Sequence, residues 1–157
     1  MQPLITCLWF DTQAEEAAAF YVSVFPNAEM GSVTLYTEAG PGPAGSAMTA
    51  SWRIGETQFF GINGGPVFQF NPAVSFQIPC ESQDEVDYYW DALVAGGGET
   101  GQCGWLTDRF GVSWQVTPTA LTRLLSESDP ETAKRVTEVM LGQTKLIIAD
   151  LEAAARG

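Results

Sequence analysis

CGWLTDRFGVSWQVTP, residues 103–118, carries two of the chain's five tryptophans, a D-x-x-G turn at Asp108 and Gly111, and a strict alternation from Val112 to Thr117. Side chains of a strand alternate between faces, so Val112, Trp114 and Val116 point one way and Ser113, Gln115 and Thr117 the other. A polar row of this kind inside a compact domain meets solvent or lines a wet cavity. The rest of the chain favours the cavity.

Working outward, the segment before it reads as strand, helix and short strands: Ala73 to Ile78, a helix from Ser82 to Ala95, a GGG stop, then Glu99 to Gln102, Cys103 to Leu106 and Val112 to Thr117. The first part of the chain has the same order. Leu4 to Phe10 reads as a strand and Gln13 to Val24 as a helix with Glu15 and Glu16 near its positive end. A PNAEMG turn cluster precedes Ser32 to Tyr36, and after a Gly/Pro-rich loop come Ala47 to Ile54 and Thr57 to Ile62. Laying ITCLWFDTQAEEAAAFY over VSFQIPCESQDEVDYYW pairs Thr6 with Ser75, Phe20 with Tyr89 and Tyr21 with Trp90. The expectation is an α+β fold of two β-α-β-β-β modules, 1–65 and 71–118, whose mixed sheets curve into a cup. A helical extension follows over 119–157, with Asp129 before Pro130 as an N-cap and a last helix from Lys145 to Ala155.

Composition narrows the function classes. The 157 residues suit one domain with a real core. Seven Lys plus Arg against nineteen Asp plus Glu give a net charge of −12, which argues against nucleic acid and anionic membranes as partners. No apolar run approaches a membrane span. MQPLITCLWF has neither a basic start nor a small-residue cleavage site, so a cytoplasmic location is expected. Three scattered cysteines, Cys7, Cys80 and Cys103, do not form a disulfide framework and read as buried small hydrophobes. Histidine is absent altogether, which removes the commonest metal ligand and the commonest general base.

Four ordered strings, LWFD at Leu8 to Asp11, AEEAAAFYVSVFPNA at Ala14 to Ala28, INGGPVFQFNPAVSF at Ile62 to Phe76, and CGWLTDRFGVSWQVTP, resemble the PhnB-like branch of the vicinal oxygen chelate superfamily. That branch carries a 3-demethylubiquinone-9 3-methyltransferase domain label. The resemblance implies a glyoxalase-like fold, a homodimer and, in metal-dependent members, one ligand from the first and last strand of each module. Carried over, Gln115 takes the place of a glutamate in D-x-x-G-x-x-x-E, and Thr6 and Ser75 take the first-strand places. The fourth falls within Phe59 to Asn63, with Asn63 favoured. Hydroxyls and amides are weak ligands for transition metals, so no metal and no cofactor are expected.

The expected activity is therefore metal-independent binding of a small polar or aromatic molecule. Thr6, Asn63, Ser75 and Gln115 would be its polar contacts, and Phe10, Phe68 and Trp105 its apolar walls. Phe10 shares a face with Thr6 and Leu8, which favours it over Trp9; Phe68 and Phe70 would form a lid or pack as a linker. Asp108 reads as a turn cap, and Cys103 as buried rather than nucleophilic, Arg109 being the only local cation. Two rivals stay open: an enzyme, either the methyltransferase of the family label or a lyase or isomerase, and a noncatalytic drug-sequestering protein. Methyl transfer lacks a G-x-G-x-x-G after a strand.

Overall fold

A computed structural model describes residues 3–157, so the first two residues of the N-terminal string read above lie outside it. The chain folds as two units, residues 1–70 and 71–157.

The first unit contains β1 (Thr6–Phe10), α1 (Ala14–Val24), β2 (Ala28–Leu35), β3 (Ala47–Ile54) and β4 (Thr57–Asn63). Its sheet has the order β1-β4-β3-β2; β1 runs parallel to β4 and the remaining pairs are antiparallel. Small residues let α1 lie close to the sheet: Ala14, Ala17 and Ala18 are buried together with Tyr21 and Val24. Across from them the sheet offers Trp52, whose ring centroid is 5.8 Å from that of Tyr21 and which stacks on Phe59. Gly61 lets this layer close up: a Cβ there would sit 3.0 Å from Ala14 Cβ and 3.1 Å from the Trp52 ring, so those neighbours would have to give way.

The second unit repeats the plan with β5 (Ser75–Cys80), α2 (Gln83–Val94), β6 (Glu99–Thr100), β7 (Trp105–Thr107) and β8 (Ser113–Pro118), in the order β5-β8-β7-β6. Strand β5 is parallel to β8, as β1 is to β4. Val86, Trp90 and Leu93 of α2 are buried, as are Ile78, Cys80, Leu106, Trp114 and Val116 of the sheet. Three further helices follow, α3 (Thr119–Glu127), α4 (Pro130–Gly142) and α5 (Ile148–Arg156), with a core of their own in Leu121, Val136, Leu146 and Leu151. The architecture is thus α+β, two separate four-stranded mixed sheets with five helices.

Boundaries differ from the sequence reading where tertiary pairing decides them. Strand β2 begins at Ala28, inside the expected turn cluster, because Ala28 to Met30 pair with Trp52 to Ile54 before an irregularity ahead of Val33. Strand β7 begins at Trp105 because Cys103 and Gly104 have positive φ, 59° and 82°. The last helix begins at Ile148, since residues 143–147 form an irregular strap that bends at Thr144 and Lys145.

Candidate functional site

Register assigns faces in each unit. In the first, Phe10 pairs with Asn63, Leu8 with Gly61 and Thr6 with Phe59, and this set faces α1. Phe10 is a core residue, 3% exposed and edge-to-face with Phe70. Asn63 is buried with both ends of its amide engaged: Oδ1 accepts from Ala14 N at 2.8 Å and Nδ2 donates to Ala47 O at 2.9 Å. Trp9 points to the other face, where its indole donates to Gly65 O and its ring meets the exposed Phe68 edge-on at 5.1 Å.

In the second unit Ser75, Gln77, Ser113, Gln115 and Trp105 share the face turned away from α2. Ser75 and Thr6 therefore stand on opposite faces of their sheets, contrary to the equivalence expected from the aligned strings. The cause is a single residue: three residues join β1 to α1 and two join β5 to α2. A one-residue offset between strand and helix reverses every side chain of the strand.

The polar row of β8 builds a groove of about 480 Å³ within the second unit. Its floor is Gln77, Gln115, Thr117 and Trp105, with Cys103 at one end. Gln115 Nε2 donates to Ser75 Oγ at 2.8 Å and Gln77 Nε2 to Thr117 Oγ1 at 3.3 Å, which leaves the carbonyl ends of both amides as acceptors. Leu121, Thr122, Leu125, Ser126 and Met140 form the opposite wall. Of the expected site residues, the structure brings together Ser75, Trp105 and Gln115. Gln77 was missed although it stands two residues from Ser75 on the same face; Leu121, Leu125 and Met140 of the wall stand on apolar helix stripes, but which sheet face such a stripe covers is not written in local spacing.

Asp108 fixes the end of the groove-bearing hairpin. It is 3% exposed, its Oδ1 accepts from the N–H groups of Phe110 and Val112 and its Oδ2 from Trp114 Nε1 at 2.8 Å. The turn-cap reading is met, with the indole bond added. Displaced pKa values lie off the groove. Burial, and then the charge of Glu85, push the Cys80 thiol up to about 12, so it stays protonated at neutral pH. Hydrogen bonds from Lys145 and then Gln83 hold Asp87 below the usual carboxylate range.

The metal-ligand places implied by the superfamily resemblance do not suit a metal ion. Ser75 and Gln115 bond to each other, Thr6 stands on the α1 side, and the Asn63 amide is engaged at both ends. Among the described residues no group of three or more His, Cys, Asp or Glu could hold an ion. Neutral hydroxyl and amide donors are a poor set for transition metals. Among the described residues, no helix is long and apolar enough to cross a membrane.

Comparison with known proteins gives the same fold. The profile of the family described as 3-demethylubiquinone-9 3-methyltransferase matches residues 2–117. A PhnB protein from Bacillus cereus, carried under a provisional 3-demethylubiquinone-9 3-methyltransferase description, is 35% identical, with a TM-score of 0.68 over 75% of this chain and 100% of its own. Protein PA1353 from Pseudomonas aeruginosa is 22% identical, with a TM-score of 0.61 over 75% of this chain and 98% of its own, and supports the fold alone. No curated protein matches the chain.

Proposed function

As the chain belongs to the 3-demethylubiquinone-9 3-methyltransferase family, within the vicinal oxygen chelate superfamily, we propose that it binds a small polar or aromatic molecule without a metal ion, in the groove of the second unit. The observation that carries this reading is the hydrogen bond from Gln115 Nε2 to Ser75 Oγ: Ser75, outside the groove lining, orients the Gln115 amide on the floor, whose carbonyl end keeps its accepting capacity for an organic ligand. Gln115 and Trp105 are the contacts we assign, with Gln77 and Thr117 beside them and Ser75 as the group that positions Gln115. Thr6, Phe10 and Asn63 act as scaffold, and Phe68 with Trp9 forms an exposed aromatic pair in the first unit. Metal analysis of protein purified without chelators tests the reading; one tightly held divalent ion per chain overturns it.

A second reading, methyl transfer, is favoured by the family description alone. Calorimetry with S-adenosylmethionine separates the two: binding heat supports methyl transfer, and its absence supports a binding protein.

Exposed apolar side chains such as Leu4, Val67 and Val74 support assembly as a homodimer, which sedimentation at twice 16.9 kDa would verify. Three free thiols support a reducing, cytoplasmic setting.

A further inference from the structure

The family match ends at residue 117, and α3 begins at Thr119. The matched region therefore supplies the floor of the groove, while its facing wall comes from the helical extension. Two rows on α3 form most of that wall, Leu121 with Leu125 and Thr122 with Ser126, each pair four residues apart and so on one helix face. Met140 of α4 completes it.

The wall is fixed to the floor. Strap residues Gln143 and Thr144 accept backbone hydrogen bonds from Cys103 and Gly104 at 2.7 and 2.8 Å, directly before the floor residue Trp105. Gln83 at the start of α2 grips the strap from the other side, donating to Leu146 O and accepting from Ile148 N. Lys145 adds an ion pair of 2.9 Å with Asp87. Gly104 has φ +82°, and a Cβ there would lie 2.6 Å from Val116 O and 2.9 Å from Leu146 Cδ1, so strap and floor meet without slack.

We infer that the extension is the selectivity element of the groove, and that Thr122, Leu125, Ser126 and Met140 restrict it to uncharged ligands that offer a flat apolar body to Trp105 and Leu125 and polar groups to Gln77 and Gln115. This deepens the proposed function and rests on it. No lining residue of floor or wall carries a charge. A charged ligand would lose hydration without gaining an ion partner, its charge met only by amide and hydroxyl dipoles, whereas a neutral one exchanges water for those same groups at far smaller desolvation cost.

Three probes with one ring isolate the charge: benzamide, benzoate and benzylamine, which are neutral, anionic and cationic at pH 7. Each is titrated into the full-length ¹⁵N-labelled protein while the side-chain amides of Gln77 and Gln115 and the indole of Trp105 are followed. Benzamide is expected to shift all three signals with a millimolar dissociation constant, and the two ions to bind at least about tenfold more weakly. Leu125→Trp, at a part-exposed helix position, is expected to abolish the benzamide shifts while the first unit's spectrum stays unchanged; Ser126→Phe serves as an independent second obstruction. Benzamide binding that survives both substitutions overturns the wall and leaves the floor reading standing, as does equal binding of all three probes for the charge selection. Absence of any shift at Gln115 in the unsubstituted protein overturns the proposed binding function itself.

Discussion

In the first unit Ala14 N at the start of α1 donates to Asn63 Oδ1, 49 positions away, while the Gln13 side chain at the N-cap position makes no capping bond. In the second unit α2 is capped locally: Ser82 Oγ accepts from Glu85 N, and the Glu85 carboxylate reaches back to Glu81 N at 2.6 Å. The same strand-helix plan is thus closed by tertiary structure in one copy and by neighbouring sequence in the other. Where the first unit ends the strand parallel to β1 on Asn63, the second ends β8 on Pro118, which has no side-chain acceptor to offer α2.

The comparison breaks or sharpens under substitution. Asp108→Ala in the second unit leaves three donors without their acceptor in a buried turn and is expected to cost about 4 kcal/mol of unfolding free energy, read by urea denaturation. Asn63→Ala removes both bonds of a buried amide and is expected to cost about 3 kcal/mol, with hydrogen exchange accelerated at the start of α1. Ser82→Ala, at an exposed local cap, is expected to cost only about 1 kcal/mol. Equal losses at Asn63 and Ser82 would erase the distinction between the two kinds of cap.

The smallest effect expected is one of pH. Asp87, bonded to Lys145 and Gln83, and Asp129, bonded to Thr132 at the start of α4, both have pKa values lowered in the folded chain. Each contributes stability in full above the unfolded value of 3.8, and that contribution is lost as pH falls through the lower folded value. Hydrogen exchange measured from pH 6 to pH 3 should show α4 and α5 loosening before the first unit. Simultaneous loosening would mean that these two carboxylates do not hold the extension.

How much of this was legible beforehand follows from the kind of interaction involved. The alternation in Val112 to Thr117 foretold both faces of β8, because a strand's period is fixed by its backbone. Asp129 ahead of Pro130 foretold the start of α4, and Asp108 its turn, because those bonds span two to four residues. The equivalence of Thr6 with Ser75 misled, because aligned letters do not count the one-residue difference between the two strand-helix connections. Gln77 was open to the same alternation argument as Gln115. Leu125 and Met140 were not: their place against the floor depends on a strap held by Gln83, 63 positions from Leu146.

The seat of that strap limits how such a protein could be recombined with its shorter kin. Helices α3 to α5 grafted onto a relative would find no purchase unless a glycine stood at the place of Gly104 and a glutamine at that of Gln83. The appendage and its receptor therefore have to be inherited together, and a chimera that carries one without the other should unravel at its tail while its sheets endure.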